Sequence, residues 1–147
     1  MDLLKPSYRA LNTYTKLMRA AESVTGRVNR CMAAANLTIS QFGVLEALYH
    51  KGPLCQRDIA AKILKSTGNI TLVIDNLEKR NLVRRERDAG DRRYFTIHLT
   101  EEGAVLIAKV FPEVEAAIVG EMATLTEVEQ EQLGSLCKKL GMKGGNS

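Results

Sequence analysis

Apolar residues recur at helical spacing near the N-terminus. From about Pro6 to Ala35, Leu11, Tyr14, Leu17, Met18, Ala21, Val24, Val28, Cys31, Met32 and Ala35 fall on one side of a helical wheel. Arg9, Asn12, Lys16, Arg19, Glu22, Ser23, Arg27 and Arg30 fall on the other. The apolar side covers nearly half the wheel, wider than a coiled-coil seam, so this helix is expected to touch more than one neighbour. Thr38-Ile39-Ser40-Gln41 fits a capping box ahead of Phe42, Val44, Leu45 and Leu48, and Gly52-Pro53 stops that second helix. A short helix from about Gln56 to Leu64 packs through Ile59, Ala60 and Ile63. After Lys65-Ser66-Thr67-Gly68, a further helix to about Arg80 carries the stripe Ile70, Val73, Ile74 and Leu77, with Ser66 or Thr67 as its cap. Asn81 is predicted to take the left-handed position that ends it.

The period then changes from helical to alternating. Leu82–Arg87 and Tyr94–Leu99 read as strands joined by Asp88-Ala89-Gly90-Asp91. Thr100 is the predicted cap of a helix reaching about Met122, with Glu101 and Glu102 in its favourable first turn and Pro112 as a kink or break. Thr126-Glu127-Val128-Glu129 is a second capping box, and its helix presents Leu133, Leu136, Cys137 and Leu140 on one face. The tail from Gly141 to Ser147 is expected to be disordered.

Two short helices joined by a short turn and followed by a hairpin make a winged helix-turn-helix. The predicted fold class is therefore mainly α, of the α+β kind. In such a motif the second helix enters the major groove, and its first residues reach base edges. Here that end carries Ser66, Thr67, Asn69 and Thr71, with Asn76 further along. Asparagine pairs bidentately with adenine, while serine and threonine reach phosphates or a thymine methyl.

Charge sharpens the picture. The whole chain of 147 residues carries a net +4. Between Lys79 and Arg93 stand seven cations (Lys79, Arg80, Arg84, Arg85, Arg87, Arg92, Arg93) and three anions (Glu86, Asp88, Asp91), so this stretch holds the entire excess. A basic projection on an otherwise balanced chain points to a polyanion partner. Arg84, Arg87, Arg92 and Arg93 are the candidate DNA contacts of the hairpin, since guanidinium is drawn to the negative potential of a narrow minor groove. Asp91 is explained as a brace that orients one arginine.

Other functions find less support. No long uncharged apolar run predicts a membrane helix, and the N-terminus lacks a secretory core, so a cytoplasmic location is expected. Cys31, Cys55 and Cys137 form no paired motif, and His50 and His98 are not spaced to join them, so no metal or other cofactor is expected. Cys55, at a helix start beside Arg57, is the candidate redox thiol, against the reading of a small residue in a cap position. No nucleophile with a partner at motif spacing and no phosphate loop supports an enzyme.

The residues also resemble the MarR family of bacterial transcriptional regulators, over nearly the whole chain. Leu37-Thr38-x-x-Gln41-Phe42-x-x-Leu45 resembles that family's second-helix opening, and Ile59-Ala60 to Leu64 its third helix. Asn69-Ile70-Thr71-x-x-Ile74-Asp75-x-Leu77-Glu78-x-x-x-Leu82-Val83 resembles its recognition helix and exit, with Asn81 where glycine is common. Asp88-x-x-Asp91-x-Arg93 with Leu99-Thr100-x-x-Gly103 resembles its wing.

The resemblance implies a homodimer whose N- and C-terminal helices intertwine, with Arg93 as the minor-groove arginine. It implies a pseudo-palindromic double-stranded operator with half-sites roughly 34–36 Å apart. It also implies a repressor of nearby genes, released by a small aromatic or phenolic effector bound near the junction of the first, second and fifth helices. A thiol-sensing regulator and a winged-helix module for protein docking are the alternatives. The expected organisation is one domain over 1–147. Within it, 37–99 is the DNA-binding part, and 6–35 and 104–140 are dimerisation helices. Tyr8, Leu11, Leu133, Leu136 and Leu140 are the interface candidates.

Overall fold

A computed structural model describes residues 5–63 and 67–142, with the backbone alone at 67 and 68. The chain folds as α1 (Pro6–Ala34), α2 (Ile39–Lys51), β1 (Leu54–Cys55), α3 (Gln56–Ile63), α4 (Thr67–Lys79), β2 (Val83–Arg87), β3 (Phe95–Leu99), α5 (Glu101–Met122) and α6 (Glu127–Gly141). This is the mainly helical winged helix-turn-helix that the sequence patterning predicts.

Local chemistry sets most of the boundaries. The Thr38 hydroxyl accepts from the Gln41 N–H at 3.1 Å, and the Gln41 side chain accepts from the Thr38 N–H at 3.0 Å, which completes the first capping box. Thr126 and Glu129 repeat it at the start of α6. Two helices end on a left-handed asparagine, Asn36 (φ 58) and Asn81 (φ 59). At each, two hydrogen bonds close the last turn. Leu37 and Asn36 donate to Met32 and Ala33, and Leu82 and Asn81 donate to Leu77 and Glu78.

The core gathers the inner stripes of α2, α3, α4 and α5 on one face of the sheet. Leu45, Ile59, Ile70, Ile74, Leu77, Ile97 and Ile107 are fully buried there. The sheet is antiparallel throughout, in the order β1-β3-β2, with Ile97 opposite both Leu54 and Arg85. β1 is an addition to the sequence reading. Two residues are too few to show alternation, and its pairing partners, Ile97 and Thr96, lie far along the chain.

The predicted interruption at Pro112 is not a break, since α5 runs through it. Pro112 sits on the exposed side of the helix, opposite buried Ile107, Val110 and Val114. The missing N–H therefore costs one ladder bond and leaves the packed face intact. Gly141 closes α6, and of the expected tail, 143–147 lie outside the described residues.

α1 packs along α5 through its C-terminal half, where Val28 and Met32 are buried and Arg27 pairs with Glu121. Toward its N-terminus Leu11, Tyr14 and Met18 stay exposed, and α6 buries none of its residues within one chain.

The tightest approach in the fold lies where α4 leaves for β2 and β3 enters α5. A Cβ built on Gly103 stands 2.0 Å from the Leu82 carbonyl oxygen and 2.9 Å from its carbon. Backbone lies in the way rather than a mobile side chain, so the clash has no local relief. Gly103→Ala is expected to cost about 3 kcal/mol, read as a lower urea midpoint with an unchanged slope. A midpoint equal to that of the parent would show that this junction yields.

Candidate nucleic-acid interface

α4 is held from behind by Ile70, Ile74 and Leu77, all fully buried. On its outer side Asn69, Leu72, Asn76 and Lys79 follow at helical spacing along one strip. Asn69 and Thr71 are exposed, and the Thr71 hydroxyl accepts from the Gln56 amide of α3 at 2.5 Å. Asn76 is half-buried and faces the groove beside Asn36, Thr38, Gln41, Lys79 and Arg80, away from the tip of the helix. Ser66 lies outside the described residues, and only the backbone of Thr67 is described.

The arginines divide into two groups, a split that the charge count along the chain does not show. Arg85, with its side chain 20% exposed, reaches from β2 to α4. It donates to Asp75 at 2.6 Å and to Glu78 at 2.8 Å, and its own N–H donates to Glu78 as well. Arg80 donates to the Asn36 carbonyl at 2.7 Å and ties the end of α4 to the α1–α2 corner. These two hold the scaffold. Arg84 pairs with Glu86 at 2.8 Å on the outer face of the hairpin, and that bond holds the Glu86 carboxyl below its usual range. His98 lies on the far side of Glu86 at 3.2 Å and meets the Thr96 hydroxyl at 2.9 Å.

At the tip the geometry is different. The turn is closed by the Asp88 carboxylate, which accepts from the Gly90 N–H at 2.8 Å, and by Asp88 and Tyr94 N–H bonds across it. Arg87 donates to the Arg92 carbonyl at 2.7 Å, and its guanidinium lies 4.9 Å over the Phe95 ring. Arg92 is exposed. Arg93, 83% exposed, makes a two-point fork with Asp91: Nε to Oδ1 at 3.0 Å and Nη2 to Oδ2 at 2.8 Å. The Arg93 N–H adds a third bond to Oδ1 at 3.1 Å. One carboxylate thus fixes both the backbone and the guanidinium plane of Arg93, and leaves its remaining N–H groups outward. This is the brace that the sequence suggested.

Reading α4 as an apolar stripe with polar surroundings misses four participants. Leu72, one position away from the stripe, is 61% exposed on the outer strip. The carboxylate partners of Arg85 and the carbonyl partner of Arg80 leave no mark in local sequence. Cys55 ends β1 just ahead of α3 and is half-buried. Tyr8 is half-buried, while Leu11, Leu133, Leu136 and Leu140 lie exposed on α1 and α6. Among the described residues no three of His, Cys, Asp and Glu come together to hold a metal ion, and no single helix is long and apolar enough to cross a membrane.

The Arg93 fork has a titratable partner. Hydrogen bonds from the Arg93 side chain, and then from its backbone, hold the Asp91 carboxyl below the usual aspartate range. The brace is therefore present at neutral and mildly acid pH, and it is lost only as the pH falls through that lowered value. A carbon-13 NMR titration is expected to place the Asp91 midpoint below the ordinary one, and Arg93→Ala is expected to move it back up. The same midpoint in both proteins would mean that the fork does not persist in solution.

Comparison with known proteins adds to this geometry. Residues 37–95 match the model of the MarR family. The HTH-type transcriptional regulator MhqR of Bacillus subtilis is 34% identical over 134 residues, covering 91% of this chain and 92% of that protein. AbsC of Streptomyces coelicolor, a MarR family transcriptional regulator, superposes with a TM-score of 0.87 over the full length of both chains at 21% identity. BpsR of Bordetella bronchiseptica superposes with a TM-score of 0.78, at 25% identity over 88% of this chain and 98% of that one; the DNA binding of BpsR is regulated by 6-hydroxynicotinic acid.

Proposed function

The chain belongs to the MarR family, and from that premise we propose that it is a homodimeric, cytoplasmic, DNA-binding repressor of nearby genes rather than an enzyme. α4 is its recognition helix and the β2–β3 hairpin its wing. Residues 37–99 form the DNA-binding part, and 6–35 with 104–140 form the dimer. Asn69 and Thr71 face the major groove and Asn76 flanks them, while Ser66 and Thr67 are proposed contacts from their place in the sequence alone. Arg84, Arg87, Arg92 and Arg93 approach the flanking backbone and minor groove. The observation that carries this reading is the Arg93 fork, a guanidinium held in one orientation at an exposed tip by its own carboxylate.

An arginine held in advance loses less rotamer freedom when it enters a groove. A charged hydrogen bond contributes about 1.5–3 kcal/mol. Arg93→Ala is therefore expected to weaken binding to DNA from the protein's own promoter region by about tenfold or more, with unchanged thermal stability. Parent binding is expected to fall steeply with salt, because phosphate contacts release counterions. A gel-shift series at several salt concentrations reads both. Equal affinity of mutant and parent would remove Arg93 from the interface, and a flat salt response would overturn DNA binding as the function.

The exposed apolar faces of α1 and α6 support the dimer, since Leu11, Leu136 and Leu140 are each at least 60% exposed in one chain. MarR regulators are dimeric. Leu136→Asp is expected to shift the protein toward a monomer in sedimentation equilibrium, and a parent that is itself monomeric would overturn the assembly.

A small aromatic ligand is the proposed effector. BpsR responds to one. At the α2–α5 junction of this chain Phe111 stacks on Phe42 at 6.4 Å and meets His50 edge-on at 4.7 Å, an aromatic cluster of the kind that packs with a ring.

A further inference from the structure

Leu72 stands out on α4. Ile70, Ile74 and Leu77 on the inner stripe are fully buried, yet Leu72 is 61% exposed in the second turn of the helix. A single surface leucine needs no special cause. The position of this one gives it a direction. It follows Asn69 by three residues and precedes Asn76 by four, on the strip that faces away from the core. The proposed dimer faces lie on α1 and α6, so self-association leaves it uncovered. Docking the first turns of α4 into a major groove would bring Leu72 to the base edges along with Asn69.

We infer that Leu72 is a specificity residue that packs against a thymine C5-methyl group in each half-site. A leucine side chain neither donates nor accepts a hydrogen bond. In the major groove every base edge offers donors or acceptors, and thymine alone adds an apolar group. Against the cytosine amino group or the guanine acceptors, the same side chain strips water and returns no bond. Leu72 thus selects by attraction to one base and by unpaired polar groups at the others. Asn69, three residues earlier, suits adenine. Together they favour a half-site with adenine and thymine at neighbouring positions. This inference rests on the DNA-binding reading.

The test uses the full chain and a duplex that the parent itself selects from a random pool. Each thymine is then replaced singly by deoxyuridine, which removes the methyl and nothing else. Burying one methyl is worth about 0.8 kcal/mol, so a single replacement is expected to weaken the parent about fourfold, and one in each half-site about fifteenfold. Leu72→Ala is expected to bind the thymine and deoxyuridine duplexes equally well, the non-additivity that marks a direct contact. Leu72→Gln keeps helix propensity, which guards against a folding failure, and it is expected to lose the same sensitivity.

A parent indifferent to every replacement overturns the assignment. So does Leu72→Ala retaining the full fourfold effect. If the random pool yields no preferred duplex while salt-sensitive binding persists, the protein binds DNA without base reading and the assignment falls. If no DNA is bound at all, the DNA-binding reading falls first, and Leu72 is then an apolar contact for another protein.

Discussion

The close contact between Gly103 and the Leu82 carbonyl is the constraint on which the other elements depend. Four chain segments converge there: the end of α4, the start of β2, the end of β3 and the start of α5. The Thr100 N–H donates to the Leu82 carbonyl at 3.1 Å, the Thr100 hydroxyl donates to the Asn81 carbonyl at 2.6 Å, and the same hydroxyl accepts from the Gly103 N–H at 3.0 Å. One threonine thereby caps α5 and holds the carbonyls with which α4 exits. The left-handed Asn81 turns the chain so that those carbonyls face Thr100. Any side chain at 103 would push α5 away from this exit, and the wing would lose its base.

From that base outward, the charged residues perform two jobs that composition cannot separate. Arg85 spends its guanidinium on Asp75 and Glu78, and so sets the angle between wing and recognition helix. Its 20% exposure leaves the pair only partly screened, unlike the fully solvated pairs that contribute little. Arg80 does the same between α4 and the α1–α2 corner. The basic character left for a polyanion belongs to Lys79, Arg84, Arg87, Arg92 and Arg93. The electrostatic face is therefore smaller than the local charge count suggests, and it is concentrated at the tip.

Much of this was legible because it is local. Capping boxes at Thr38 and Thr126, the cap at Thr100, the stop at Asn81 and the alternation of the two long strands all act within a few residues, where sequence spacing is structure. The Asp91–Arg93 brace was legible for the same reason, being two residues long. Nonlocal features were not. β1 exists only because β3 pairs with it. The left-handed Asn36 sits in a run of alanines with no glycine to announce it. Pro112 reads as a helix breaker until the helix is seen to face it outward. Leu72 belonged neither to the apolar stripe of α4 nor to the polar residues that reach base edges, because a side chain without hydrogen-bonding groups gives no such signal.

The proposed effector would have to act by changing the spacing of two recognition helices in the proposed dimer. A ligand shifts the protein only by its difference in affinity between two states, so the ligand site must lie on an element whose position differs between them. α5 meets that requirement. It begins at the wing base and packs against both α1 and α2. Close backbone packing of Gly103 on Leu82, together with the Thr100 hydrogen bonds, couples α5 to the exit of α4. A displacement of α5 within the proposed dimer would therefore carry the wing and α4 with it. Half-sites fixed about one helical turn apart accept only a narrow range of α4 separations. Tight packing at the wing base, not flexibility there, is what makes a small shift among the long helices register at the DNA.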